Sequence, residues 1–123
     1  YLFAVLVMLV SCQSQKKGGV ELVNPIVFSE NITKNDGQLI DVRTAKEYNS
    51  GHIQDAVNIH LYDKDFKSRV AKLDKNKPIY VYCKLGGRSA DAVVIMKESG
   101  FTSIIELDGG IDAWVDADKP VVK

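Results

Sequence analysis

The segment Cys83-Lys-Leu-Gly-Gly-Arg-Ser89 places one nucleophile, two cations and two adjacent glycines in consecutive positions. The thiolate is the reactive form of cysteine, and it forms where positive charge or backbone N–H groups face the sulfur. Gly86 and Gly87 tolerate a tight curl of the backbone, which turns successive N–H groups inward as an anion nest. A helix starting near Arg88 adds its free first-turn amides and the positive end of its dipole. Lys84 and Arg88 add full charges. Such surroundings lower a thiol pKa from about 8.5 into the range of roughly 3.5–7.5. They also suit a terminal persulfide, Cys83–S–S⁻, held without a metal yet open to attack by another thiolate. Cys83 is therefore the expected nucleophile, and Lys84 and Arg88 are expected anion binders. Leu85, Gly86 and Gly87 form the curl, and Ser89 closes it, as a helix N-cap or as part of the anion site. No Cys/His group has zinc spacing, so neither metal nor cofactor is expected. His52, between Gly51 and Ile53, reads as a structural hydrogen-bonding residue.

The elements that must position this loop alternate along the chain. Ile79 to Cys83 is β-branched and aromatic, hence strand-like. Arg88 to Ser99 is helical, with Ala92, Ile95 and Met96 on one face and Gly100 as its stop. Cys83 thus sits just past the carboxyl end of a strand, where open α/β sheets form their sites. Upstream, Asn24-Pro25 is a helix start, with Asn as N-cap and Pro at the first helical position; Phe28 and Ile32 share its inner face. Gln38 to Val42 and Ala56 to Ile59 are short strands, and Thr44 with Glu47 forms a capping box between them. Phe66, Val70 and Leu73 recur at helical spacing. Ser103 to Leu107 is the last strand, and Ile111 to Val115 starts a final helix that ends before Pro120. Strands alternating with helices across short loops predict an α/β fold with a parallel sheet.

The chain has 123 residues, 46% hydrophobic and 26% charged, with Lys plus Arg and Asp plus Glu both at 16. That is the composition of one globular domain, and its zero net charge argues against nucleic-acid binding. Tyr1 to Val10 is unbroken apolar. It is too short to span a bilayer, which needs about 20 residues, but it suits the apolar part of a secretory signal. The true start is expected to lie upstream of Tyr1. Leu9-Val-Ser-Cys12 resembles the lipobox of bacterial lipoproteins, in which the cysteine is acylated and becomes the first mature residue. The expected organisation is a signal peptide over 1–11, a lipidated Cys12 with a flexible tether over 12–19, and a folded domain over 20–123. The expected location is the bacterial cell envelope, lipid-anchored and facing the periplasm or the exterior. Gln13, where Asp would mark inner-membrane retention in some bacteria, leans toward the outer membrane.

Four motifs in order give a second resemblance. Cys83, Gly86, Arg88 and Ser89 match the Cys-x-x-Gly-x-Arg-Ser loop of rhodanese-like domains. Leu39-Ile-Asp-Val-Arg43 with Glu47-Tyr48, then Gly51-His-Ile53 with Ala56 and Asn58-Ile59, then Leu107-Asp-Gly-Gly-Ile-Asp-Ala-Trp114 are similar to further stretches of that family. The resemblance covers essentially all of 20–122. It implies a three-layer fold, a small twisted parallel sheet with helices on both faces. It implies a sulfurtransferase in which Cys83 carries the sulfur and the amides of Lys84 through Arg88 cradle it. It implies supporting roles for Asp41 and Arg43, with Glu47 as an ion-pair partner, and a packing role for Trp114. The implied partners are a small sulfur donor such as thiosulfate and a thiol or cyanide acceptor. With no resolving cysteine near Cys83 and Cys12 expected to be lipidated, a thioredoxin-like protein or small thiol is the expected reductant, and the domain is expected to be a monomer. A thiol redox role would want a resolving cysteine near Cys83, and two further alternatives stand beside it. One is a non-enzymatic binding module. The other is a phosphatase or arsenate reductase, whose loops carry one residue more between Cys and Arg than the four found here.

Overall fold

The computed structural model describes residues 14–17, 19–34 and 36–123, residues 14–17 by their backbone alone. The signal-peptide and Cys12 expectations lie outside the described residues. In chain order the elements are β1 (Ser14–Lys17), β2 (Val20–Val23), α1 (Pro25–Lys34), β3 (Gln38–Asp41), α2 (Ala45–Ser50) and β4 (Val57–Asn58). They continue with α3 (Phe66–Ala71), β5 (Ile79–Tyr82), α4 (Gly87–Glu98), β6 (Ile104–Leu107) and α5 (Gly110–Asp116). The sheet order is β1-β2-β6-β5-β3-β4. From β2 to β4 all pairings are parallel, and β1 adds antiparallel to β2.

Local sequence explains most of these bounds. The Asn24 side chain accepts from Val27 N–H at 2.9 Å and caps α1 ahead of Pro25. Thr44 and Glu47 form the reciprocal capping box of α2. Two differences from expectation have physical reasons. Ser14–Lys17, expected within the tether, is an edge strand; the outer edge of β2 offers unpaired backbone groups that any extended segment can meet, and lysine suits an edge. Val20–Val23 is a strand with no long apolar run to announce it, because its partner β6 lies far along the chain.

Period-two alternation sends the strand side chains into two apolar layers. Ile79, Val81 and Cys83 face one layer with Ala92 and Met96 of α4 and Phe66 and Val70 of α3. Tyr80 and Tyr82 face the other with Phe28 of α1 and Trp114 of α5. Trp114 packs edge-on against Phe28, and its indole N–H donates to the Pro120 carbonyl at 2.8 Å. Helices therefore cover both faces of the sheet, and Cys83 emerges under α4 at the sheet's carboxyl end.

Candidate active site

β5 is buried along its whole length, so its register in the sheet sets the height of Cys83. The residue is only 1% exposed and packs at the rim of the α3–α4 layer. Immediately after it the chain curls. Gly86 has φ +127°, a conformation that favours glycine, and its N–H donates to Cys83 Sγ at 3.0 Å. Among the described residues, the N–H groups of Lys84 and Leu85 meet no protein acceptor. Those of the first turn of α4 have none by helix geometry. Gly86 is the N-cap of α4, so Ser89 is not the N-cap it could have been; the helix begins three residues earlier than that reading requires.

The carbonyls of the curl are pinned from below. Ile111 N–H donates to Cys83 O at 2.9 Å and Asp112 N–H to Lys84 O at 3.1 Å. The first amides of α5 thus take the carbonyls of Cys83 and Lys84, which leaves the N–H groups that follow for the sulfur side. This requires a close approach. A Cβ on Gly110 (φ +63°) would lie 2.3 Å from Lys84 O and 2.6 Å from Cys83 O. The second glycine of the Leu107 to Trp114 motif makes that approach possible.

Both loop cations are engaged. Lys84 Nζ pairs with Asp112 at 2.6 Å on the surface. The Arg88 guanidinium donates twice to Glu47, at 2.6 and 2.8 Å. This pair raises the Arg88 pKa, chiefly through its hydrogen bond to Glu47, and Cys83 lies near enough to contribute to the same rise. The loop's anion-binding capacity therefore rests more on peptide N–H groups than on free charge. Leu85 is exposed at the outside of the curl.

Glu47 serves two elements, since it also closes the α2 capping box. Its carboxyl is held at about 2 against an ordinary 4.5, first by the hydrogen bond from Arg88 and then by those from Thr44, with burial opposing. A depressed folded-state pKa means stabilisation that is complete above the unfolded value and is lost as pH falls through the folded one. The contribution should therefore be full above about pH 4.5 and fade toward pH 2. Urea midpoints measured across this range should fall more steeply in the wild type than in Glu47→Gln. Because the pair is partly exposed, the difference should be about 1–2 kcal/mol.

Asp41 ends β3, the strand beside β5, and Arg43 lies two residues past it. Both are buried, and they form a bidentate pair with distances of 2.7–3.1 Å. Asp41 also accepts from Arg43 N–H at 2.9 Å, and Arg43 donates to Gly51 O at 2.7 Å. Asn58 donates to the carbonyls of Asp41 and Arg43. The clasp fixes the turn after β3 that leads into Thr44 and Glu47, and so the partner of Arg88. Glu47 pairs with Arg88 rather than with Arg43. His52 stacks on Tyr48 and places Nδ1 2.9 Å from the Tyr48 carbonyl, a structural role.

One residue of the site escaped sequence reasoning. Glu106, buried in β6, places Oε2 2.6 Å from Ser89 Oγ, which lies 3.5 Å from Cys83 Sγ. Its signal was a lone acid inside the otherwise apolar run Ile104 to Leu107.

Comparisons with known proteins agree with this geometry. The rhodanese-like domain family matches residues 25–117. An uncharacterized protein, YqhL of Bacillus subtilis, is 40% identical over 77 residues, covering 63% of this chain and 60% of that protein. The thiosulfate sulfurtransferase GlpE of Pseudomonas savastanoi is 37% identical over 76 residues, covering 62% of this chain and 70% of that one. The chain thus spans less than two thirds of the Bacillus protein and slightly more of the Pseudomonas one. The crystal structure of a rhodanese-related protein from Thermoplasma volcanium superposes with a TM-score of 0.73 at 31% identity, over 82% of this chain and 96% of that chain.

Proposed function

This chain belongs to the rhodanese-like domain family, and from that premise we propose that it is a sulfurtransferase working through a persulfide on Cys83. In the first half-reaction the Cys83 thiolate attacks the outer sulfur of a donor such as thiosulfate. A bond forms from Sγ to that sulfur, the donor's S–S bond breaks, and sulfite leaves with the electron pair. In the second, a nucleophile takes the outer sulfur and Cys83 departs as thiolate: cyanide yields thiocyanate, and a thiol yields a new persulfide. Lys84, Leu85, Gly86, Gly87 and Arg88 supply the amides that hold the charged outer sulfur, with Ser89 at the inner end. Asp41, Arg43 and Glu47 hold the walls. The observation that carries this reading is the Gly86 N–H aimed at Sγ from 3.0 Å, in a curl whose neighbouring amides have no protein acceptor among the described residues. Relatives named thiosulfate sulfurtransferase support it, including PspE of Escherichia coli, 42% identical over 74 residues.

The test is a paired assay on one preparation. Thiosulfate with cyanide should yield thiocyanate catalytically, while an aryl phosphate should not be hydrolysed. Phosphate release without thiocyanate would overturn the reading in favour of an oxyanion enzyme. Cys83 is the one cysteine among the described residues. With Cys12 read as blocked by a lipid, reductive discharge calls for an outside thiol, small or thioredoxin-like.

We further propose that Cys12 carries a lipid and anchors the domain in a bacterial cell envelope. The apolar run, the cysteine and the polar segment after it stand in the required order. Detergent-phase partitioning of the full-length protein, lost in Cys12→Ser, is the expected result. Equal partitioning of both proteins would contradict it.

A further inference from the structure

Glu106 has no evident role in the chemistry above, and its setting is unusual. It is the third residue of β6, a strand buried from end to end, and it is 8% exposed. Leu22 of β2 and Val81 of β5 flank it in the sheet. Its Oε2 lies 2.6 Å from Ser89 Oγ, in the first turn of α4. Ser89 is fully buried; its hydroxyl also lies 3.1 Å from Gly86 O and 3.5 Å from Cys83 Sγ.

A serine hydroxyl has one hydrogen to give. With the carboxylate ionised, that hydrogen goes to Oε2, and the hydroxyl can only accept from a Cys83 S–H. With the carboxyl protonated, Glu106 donates to Oγ and frees the serine hydrogen for a thiolate. The two anionic forms, separated by one hydroxyl and both buried, compete for the same hydrogen bond and repel each other.

We propose that Glu106 is a positioning residue that shares one proton with Cys83 across the Ser89 hydroxyl, so that thiolate and Glu106 carboxylate exclude one another. In the exchange the S–H bond breaks as an O–H bond forms on Ser89, and the original Ser89 O–H bond breaks as one forms on Glu106. The products are a thiolate, a hydroxyl aimed at it and a neutral carboxyl, with no proton lost to solvent. The inference deepens the reading of Cys83 as nucleophile and rests on it.

The electrostatic surroundings agree. Burial lifts the Glu106 carboxyl above the usual carboxylate range; the Ser89 hydrogen bond opposes the rise, and Asp108 on the same strand end adds to it. The nearby cations are committed elsewhere, Arg88 to Glu47 and Lys84 to Asp112. On β2 the flanking residue is the apolar Leu22, and on β5 it is the apolar Val81.

The experiment is the rate of Cys83 alkylation by iodoacetamide as a function of pH, on the full chain with no sulfur donor present. Coupled groups titrate in two macroscopic steps, so the wild type should show a partial rise at low pH and a second at higher pH. Glu106→Gln keeps the shape and the bond to Ser89 but carries no charge. It should show one step, below the wild-type upper step, with alkylation near pH 6 faster by roughly tenfold. Ser89→Ala breaks the bridge and should lose the lower step. Thermal melts accompany each variant, because a residue that merely ties α4 to β6 would change stability and leave the pH profile alone. Superimposable profiles for wild type and Glu106→Gln, or two retained steps in Ser89→Ala, would overturn the proposal. Sulfur transfer is measured separately, so loss of that activity and loss of this coupling can be told apart.

Discussion

Cys83→Ser is expected to reduce thiocyanate formation from thiosulfate and cyanide to the uncatalysed background, a loss of at least about 10³-fold. Serine keeps the size and hydrogen-bonding of the side chain, so the curl and the Gly86 contact should survive. What disappears is the nucleophile. A hydroxyl is far less ionised at neutral pH than a thiol, and a carboxylate such as Glu106 behind Ser89 is far too weak a base to ionise it. An O–S linkage would also be a poor sulfur carrier, because transfer depends on thiolate attacking and leaving across an S–S bond. The melting temperature should remain near that of the wild type. A variant that retains even a tenth of the activity would move the chemistry to another group. One that loses activity together with its fold would be uninformative, which is why the melt belongs with the assay.

Gly110→Ala should produce the largest loss of stability of any single methyl addition near the site. Gly110 has φ +63°, and the added carbon would lie 2.3 Å from Lys84 O and 2.6 Å from Cys83 O. Those are backbone atoms and cannot swing aside as a flexible side chain would. The substitution combines backbone strain with a steric conflict, and the two together should cost about 3 kcal/mol or more. For a domain of this size the melting temperature should fall by more than about 10 °C. The effect should also reach the chemistry. The Cys83 and Lys84 carbonyls are held by Ile111 and Asp112 N–H, and displacing α5 releases both. Sulfur transfer should therefore drop at temperatures where the variant remains folded. Gly86→Ala, by contrast, would meet no atom within 4 Å, so its cost comes from φ alone.

The contrast between these sites also marks what could be read from residues in order. Loop and cap features are local, and the sequence carried them: Asn24 before Pro25, Thr44 with Glu47, and Cys83 followed by two glycines each do their work within a few positions. The alternating strands and helices were legible for the same reason. What escaped is non-local. Arg88 and Lys84 read as free cations beside Cys83, yet their partners Glu47 and Asp112 stand 41 and 28 positions away. Only the fold brings those charges together. β2 is four residues long and gains its identity from β6. Ser14–Lys17 reads as a polar tether because edge strands owe their pairing to a neighbour's unused backbone, not to their own side chains. Glu106 was visible as an acid among Ile and Leu, but its meaning depends on Ser89 arriving from α4 above it.

A persulfide held by peptide N–H groups on Cys83 is the central claim, and intact-mass spectrometry tests it most directly. Wild-type protein incubated with thiosulfate and freed of excess donor should become heavier by one sulfur atom, with the added mass confined to the peptide containing Cys83. Brief treatment with cyanide should restore the original mass and release an equivalent of thiocyanate. A mass that does not change under thiosulfate or other sulfane donors, in protein whose Cys83 still alkylates, would contradict the account and leave the domain a binding module.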